Sequence, residues 1–189
     1  KTELGYDAAV WQRVATELGW PALVIPEAQD GIGLGPLDLH PLLEEMGRHV
    51  FCSPFFGTVC LGANALLVAG TAAQKQRWLP KMVTGEAVGA IAMTEPGAGS
   101  DLQGMKMKAE KHGDTYVLDG AKTFITNGQH CDVVVMAAKT DPAAGGKGIT
   151  LFTVDCTLPG FTRGRNLEKI GHHSADTSEL FLEGVTVPA

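Results

Sequence analysis

Apolar residues recur every three or four positions through the first 85 residues, the spacing of a buried helix face. The pattern predicts four helices, over 7–20, 37–50, 57–69 and 72–83. The third is apolar nearly all round and is therefore expected to be buried. Asp7 and Thr71 are predicted to cap the first and last helices, and Pro80 to interrupt the last. Between the first two helices, 21–36 contains three prolines and three glycines and is predicted to be a loop.

After Gly85 the apolar residues alternate with polar ones, as in strands that bury one face. The pattern predicts seven strands, over 87–94, 105–111, 115–119, 121–126, 132–140, 148–155 and 178–187. The turn signals His112-Gly113-Asp114 and Asp119-Gly120 predict hairpins. Helices followed by strands indicate an α+β fold. We expect a helical N-terminal domain over 1–85 and an antiparallel β-barrel or sandwich domain over 86–189.

The composition is that of a globular protein and excludes some function classes. The chain has 189 residues, of which 44% are hydrophobic and 19% charged, and its formal net charge is -6. An acidic chain without a Lys/Arg cluster lacks the basic face that nucleic acids require. The longest apolar run, 57–70, is shorter than the roughly 20 residues of a membrane-spanning helix. We therefore expect no nucleic-acid partner and no membrane span.

Cysteine and histidine give no sign of a disulfide framework or a metal site. The four cysteines form no CxxC pair and are predicted to be reduced, mostly buried thiols. His172 and His173 are adjacent, so their side chains diverge in a strand or a helix and are poorly placed to share one metal. No metal site is predicted.

The segment most informative about chemistry is MTEPGAGSD, from Met93 to Asp101. A strand is predicted to end at Thr94, and Pro96 with two glycines then forces a tight, exposed loop. Successive N–H groups and the Ser100 hydroxyl could form a nest for a pyrophosphate. The spacing matches neither GxxxxGK nor GxGxxG, so a plain turn is the favoured interpretation of this segment alone and phosphate binding the alternative.

A second cluster is FITNG, from Phe124 to Gly128. Asn-Gly is a strong turn signal, which places Thr126 at the end of a strand with its hydroxyl free to point at a ligand. Taken alone, a half-buried strand closed by a turn is the simpler interpretation.

In this order and at this separation, the motifs resemble those of the acyl-CoA dehydrogenase family. Residues 92–104, AMTEPGAGSDLQG, closely resemble the family signature, and 122–128, KTFITNG, resemble its second flavin motif. The end of the chain, 171–188, is similar to the last strands of the family's middle domain. Pro26-Glu27 with 31–37 is similar to a loop of its helical N-terminal domain. The resemblance covers nearly the whole chain.

The resemblance implies an FAD site whose first part is the segment that ends the first strand. Ile91, Met93 and Thr94 would run beside the pyrimidine end of the flavin, with Thr94 donating near N1 and O2. Reduced flavin gathers negative charge there, which a preorganised donor stabilises. Gly99 and Ser100 would line the pyrophosphate region, and Ser100 would also face the acyl-CoA thioester.

The second part of the implied site is the FITNG cluster. Phe124 would occupy the place of an aromatic residue, often Trp, that lies against the isoalloxazine ring. Ile125 and Thr126 would contact the ring edge, Thr126 near N5, the atom that receives the hydride. Glu95 and Asp101 are expected to be solvated or capping residues, and neither is nominated as a catalytic base.

The resemblance further implies oxidation of acyl-CoA to trans-2-enoyl-CoA in fatty-acid or related catabolism. A carboxylate would remove the α-proton while the β-hydride moves to the flavin, and electrons would pass to an electron-transferring flavoprotein. Family members are longer, and their C-terminal helical domain supplies the usual glutamate base. We therefore expect the base beyond Ala189 and this chain to be a fragment. A homo-oligomer, dimer or tetramer, is expected in the cytoplasm, or in the mitochondrial matrix of a eukaryote.

Two alternatives keep part of this interpretation. An acyl-CoA oxidase or flavin monooxygenase shares similar motifs, and differs because its reduced flavin reacts rapidly with oxygen. A non-catalytic subunit would bind CoA or FAD and complete a partner's site. A coding sequence that continues past Ala189 with helices and a suitably placed glutamate favours the enzyme over that subunit.

Overall fold

The computed structural model describes residues 4–189, which form two compact units. The first unit runs to Gly89 and includes the later segment Lys169–Ala175. The second consists of Ala90–Glu168 and Asp176–Ala189. The later segment packs closely in the first unit, since a Cβ added at Gly5 would overlap the carbonyl group of Ser174.

The described part of the first unit contains four α-helices and one π-helical stretch. They are α1 (Ala8–Thr16), α2 (Pro36–Arg48), the π-helix (Phe56–Ala63), α3 (Asn64–Ala69) and α4 (Ala72–Val83). The predicted caps are confirmed, because the Asp7 carboxylate accepts from the main chain of Ala9 and Val10, and Thr71 forms a capping box with Gln74. The 21–36 loop is confirmed, with two short 3-10 turns, Trp20–Ala22 and Glu27–Gln29.

Pro80 does not interrupt α4, so that prediction is wrong. The helix continues through it to Val83, and its face with Trp78, Leu79 and Met82 is buried. Burial of these three large side chains outweighs the loss of the one N–H group that proline lacks.

One hydrophobic cluster of the first unit includes the inner face of α1. Its buried members are Trp11, Val14, Leu39, Phe55 and Val59. The indole Nε1 of Trp11 donates to the carbonyl oxygen of residue 85 at 3.2 Å, which fixes the chain after α4 against α1. Residue 85 must be glycine, because its φ is +73° and an added Cβ would lie 2.7 Å from the Ala15 methyl.

The second unit is built on a seven-stranded sheet. The strands are β1 (Gly89–Ala92), β2 (Lys108–His112), β3 (Thr115–Thr126), β4 (Val133–Lys139), β5 (Ile149–Asp155), β6 (Phe161–Asn166) and β7 (Thr177–Pro188). The order is β1-β4-β2-β3-β7-β6, and β5 pairs with β4. β2 and β4 are parallel over a single pair, Lys108 and Lys139, whereas β2–β3, β3–β7, β4–β5 and β6–β7 are antiparallel. The α+β prediction is confirmed, and the sheet is largely antiparallel as predicted.

The turn predictions had different outcomes. The hairpin at His112-Gly113-Asp114 is confirmed, because His112 pairs with Thr115 around Gly113 at φ +60°. The prediction of a hairpin at Asp119-Gly120 is wrong, because β3 continues through both residues. Gly120 marks a bulge against β7, and an added Cβ would lie 2.8 Å from the Met107 side chain. Strand β6 was not predicted, since Phe161 is its one buried residue and no alternation shows.

All four cysteines are free thiols, as predicted, although their burial differs. Cys131 and Cys156 are buried with their sulfur atoms 3.5 Å apart, Cys60 is half-buried, and Cys52 is exposed. The hydrogen bond with Cys131 and burial raise the pKa of Cys156, and burial raises the pKa of Cys60. Because the thiolate is the reactive form, Cys60 and Cys156 are protected from reaction both by their burial and by their raised pKa.

We therefore expect a clear order of alkylation in the native protein. Brief iodoacetamide labelling at mildly alkaline pH should modify Cys52 first and Cys60 more slowly. Cys131 and Cys156 should react only after unfolding in urea. Peptide mapping by mass spectrometry measures each site separately. Labelling of Cys131 in the native protein at the rate of Cys52 would contradict the described burial.

Candidate functional site

The two sequence motifs lie on neighbouring segments of the second unit. The main-chain N–H of Thr123 in β3 donates to the carbonyl oxygen of Thr94 at 2.9 Å. The Lys122 ammonium donates to the carbonyl oxygen of Met93 at 3.0 Å. The segment that follows β1 therefore runs directly beside the end of β3.

The first motif forms a tight turn, as predicted. Glu95 and Ala98 exchange two main-chain hydrogen bonds of 2.9 and 3.1 Å. Ala98 is buried, whereas Gly97, Gly99 and Ser100 are exposed. A Cβ added at Gly97 or Gly99 would meet nothing within 4 Å, and neither residue has a positive φ. The local fold does not need glycine at these two positions, so the open space in front of them is available to a ligand.

The two acidic residues of the first motif have different roles. Asp101 caps the 3-10 turn Leu102–Gly104 by accepting from the N–H of Gln103, so the capping prediction is confirmed for it. The expectation for Glu95 is wrong. Its side chain is only 7% exposed, and it forms an ion pair with the fully buried Lys122 at 3.0 Å.

The Glu95 carboxylate is surrounded by donors. Besides the Lys122 ammonium, it accepts from the main-chain N–H groups of Lys106 at 2.6 Å and Met107 at 3.0 Å. Burial lowers the pKa of Lys122, and the hydrogen bond and charge of Glu95 oppose this shift. Sequence reasoning missed this pair. No local signal indicated it, since in a regular strand Lys122 would lie on the same face as Phe124 and Thr126.

The second motif contains a break in the sheet that turns an aromatic ring outward. The register between β3 and β7 shifts between Lys122 and Ile125. Within this bulge Phe124 has φ +59° and is 66% exposed. A bulky residue in the left-handed region is a genuine conformational outlier and is typical of functional positions. Thr126 is also exposed, whereas Ile125 is buried and its carbonyl oxygen accepts from the N–H of Gly128 at 3.2 Å.

The turn that closes the second motif is rigidly held. Asn127 is buried with φ +62°, a conformation that asparagine tolerates, and its carbonyl oxygen accepts from the N–H of Cys131 at 2.8 Å. Gly128 leaves no room for a side chain, since an added Cβ would lie 2.7 Å from the Ser178 hydroxyl oxygen. The predicted Asn-Gly turn is confirmed.

The predicted site residues of the first motif lie in three places: in β1, beside the end of β3, and beyond the turn. Met93 and Thr94 lie beside Thr123, the residue before Phe124, and Met93 is 37% exposed. Ile91 is half-buried in β1, and Gly99 and Ser100 lie beyond the turn. Within residues 4–189, no three His, Cys, Asp or Glu side chains are grouped to hold a metal ion. The described helices include none long and apolar enough to cross a membrane.

Comparison with known proteins identifies the family. The model of the acyl-CoA dehydrogenase N-terminal domain matches residues 1–86, and that of the acyl-CoA dehydrogenase middle domain matches residues 90–185. The chain belongs to the acyl-CoA dehydrogenase family.

Individual relatives agree with this result. Mitochondrial isovaleryl-CoA dehydrogenase of Arabidopsis thaliana is 41% identical over 186 residues, which are 96% of this chain and 45% of that protein. The acyl-CoA dehydrogenase structure from Geobacillus kaustophilus superposes with a TM-score of 0.87 at 43% identity, over 98% of this chain and 50% of that one. The structure of butyryl-CoA dehydrogenase from Megasphaera elsdenii superposes with a TM-score of 0.88 at 36% identity. The match covers 97% of this chain and 49% of that one. The chain spans about half the length of these relatives.

The strain at Phe124 predicts an unusual order of stabilities. Phe124→Gly should leave the free energy of unfolding unchanged or raise it. Relief of the left-handed conformation yields about 1–2 kcal/mol, against an entropic cost of glycine of about 0.5–1 kcal/mol. Phe124→Val should lower the free energy of unfolding, because a β-branched residue is more strained than phenylalanine at positive φ. Urea unfolding of the unchanged protein, Phe124→Gly and Phe124→Val measures the three free energies of unfolding.

Phe181 provides the matched control for this comparison. It is 37% exposed on the regular strand β7 and has no positive φ. Phe181→Gly should therefore destabilise the protein clearly. Equal losses from Phe124→Gly and Phe181→Gly would show that Phe124 stores no strain.

Proposed function

We propose that this chain supplies the flavin-facing surface of an FAD-dependent acyl-CoA dehydrogenase that oxidises acyl-CoA to trans-2-enoyl-CoA. Family membership supports the oxidoreductase class. The observation that carries the proposal is the hydrogen bond from Thr123 to Thr94, which joins the two flavin-like motifs side by side. It sets an exposed aromatic ring and exposed hydroxyl groups on adjoining segments.

The residues present fit a flavin. A planar cofactor needs an apolar surface, and donors are needed where negative charge develops on it. Phe124 offers the exposed ring, and Thr94, Thr126 and Ser100 offer hydroxyl groups. The open space before Gly99 leaves room for a close approach of the main chain to a phosphate. FAD, when bound, supplies the hydride acceptor.

Each part of the surface has a proposed task. Ile91, Met93 and Thr94 bind the pyrimidine end, where the Thr94 hydroxyl donates. Gly99 and Ser100 line the pyrophosphate region, and Ser100 also orients the acyl-CoA thioester. In the second motif, Phe124 covers the ring face and excludes water from it. Ile125 and Thr126 contact the ring edge, Thr126 through its hydroxyl near N5.

The α-proton requires a base, which we place outside this chain. The two carboxylates of the described motifs are both engaged, Glu95 in a buried ion pair and Asp101 in a cap. We propose a helical domain over 1–85 and a flavin- and acyl-CoA-binding domain over 86–189. We further propose a homo-oligomer in the cytoplasm or the mitochondrial matrix, whose electrons pass to an electron-transferring flavoprotein.

Anaerobic titration of the whole protein tests this function. It should purify with bound FAD, and short or branched acyl-CoA thioesters should bleach the visible absorbance of the flavin. Electron-transferring flavoprotein should restore the colour rapidly and oxygen slowly. Rapid recovery in oxygen would instead identify an oxidase. A protein that binds acyl-CoA or FAD without bleaching would be a binding subunit.

Gly99→Val should separate ligand binding from folding. The added side chain enters open space at a residue whose φ is not positive, so the urea midpoint should not change. If a ligand approaches the main chain here, its dissociation constant should rise about tenfold or more, equivalent to at least about 1.4 kcal/mol. The control is Gly47→Val, where an added Cβ also meets nothing within 4 Å. Unchanged FAD and acyl-CoA affinities in Gly99→Val would leave this segment a simple turn.

A further inference from the structure

A single carboxylate closes the base of the loop that carries the predicted phosphate-binding residues. Glu95 lies before the loop 96–105, and its side chain accepts from the N–H groups of Lys106 and Met107 after it. The main-chain turn between Glu95 and Ala98 closes only the first part of this loop. The remainder, including Gly99 and Ser100, is closed by the Glu95 side chain together with the packing of Met105 and Leu102 against Ala137.

The Lys122 ammonium joins this closed loop to the second motif. It donates to Glu95 at 3.0 Å and to the carbonyl oxygen of Met93 at 3.0 Å. Its own position in β3 is two residues before Phe124. One ion pair therefore contacts the segment before Thr94, the chain after the loop, and the strand that leads into the bulge.

Stability alone does not account for a charged pair at this place. Both side chains are almost completely removed from water, which costs several kcal/mol per ion before they attract each other. Apolar side chains of similar size often stabilise a protein equally well. Apolar side chains, however, do not fix the positions of neighbouring main-chain groups. A carboxylate accepts several hydrogen bonds and an ammonium donates three, so the charged pair can hold such groups in place.

We propose that Glu95 and Lys122 are positioning residues, which set the spacing between the two flavin-facing segments and hold the loop 96–105 ready for its ligand. The inference rests on the proposed flavin site and adds to it two residues that would not touch the flavin themselves. Their effect on the reaction passes through the main chain of Met93 and Thr94 and through the loop.

The test uses the whole protein with Glu95→Gln, Lys122→Met and the double variant. Glu95→Gln keeps the shape and an acceptor oxygen, and so folds most readily. The measurements are the urea midpoint, the FAD dissociation constant, the flavin reduction potential, and amide hydrogen exchange of 96–105 without FAD. Val154→Ala, at a fully buried position of β5, is the control for a general loss of stability.

Each single variant should lower the urea midpoint, because it leaves a buried charge or its donors unpaired. Each should also raise the FAD dissociation constant tenfold or more, shift the potential, and accelerate exchange in 96–105. The double variant should recover much of the midpoint, since no unpaired charge remains, without recovering FAD affinity or slow exchange. Val154→Ala should lower the midpoint alone.

Two results would overturn the positioning role. One is a double variant, or a single variant matched in stability to Val154→Ala, that binds FAD as the unchanged protein does. The other is unaltered exchange of 96–105 in Glu95→Gln. A protein that binds no FAD in any form would refute the proposed function instead, and exchange of the loop would still decide whether the ion pair holds it.

Discussion

The buried ion pair between Glu95 and Lys122 constrains the structure around the candidate site, because neither charge is stable in the interior without the other. Its hydrogen bonds reach Met93, Lys106 and Met107 as well, so segments far apart in sequence meet at a few atoms. The predicted loop residues and the end of β3 acquire their relative placement from this meeting. A fold that carried the two motifs without the pair would have to define their spacing by packing and the main-chain hydrogen bond from Thr123 to Thr94.

The bulge in β3 is the complementary constraint, and it acts through the main chain. A regular strand would alternate its side chains between the two faces, with one residue after another turned inward and outward. The register shift against β7 breaks this alternation, leaving Lys122 and Thr123 both buried and Phe124 exposed at positive φ. The sheet thus gives up regular pairing at the point where an aromatic ring is presented outward. This cost is understandable where a flat ligand is to be covered.

Much of the fold could be predicted because its signals are local. The caps at Asp7 and Thr71 depend on residues two or three positions away, and the turns at Gly113 and Asn127 depend on their own φ preferences. The change from helical to alternating spacing near Gly85 indicated the order of helices and strands. The two flavin-like motifs were recognisable for the same reason, since each is a short continuous stretch. The sequence alone therefore determined the α+β class and the family resemblance.

Only the tertiary structure decided which of these residues meet. Gly120 resembles a turn residue, but β7 beside it and Met107 against it make it a bulge within one long strand. Glu95 resembles a surface residue, but its partner Lys122 comes from the distant strand β3. The exposure of Phe124 depends on a register that neither strand specifies alone. Local spacing encodes what a segment prefers, whereas pairing, burial and strain depend on neighbours distant in sequence, which become known only when the chain has folded.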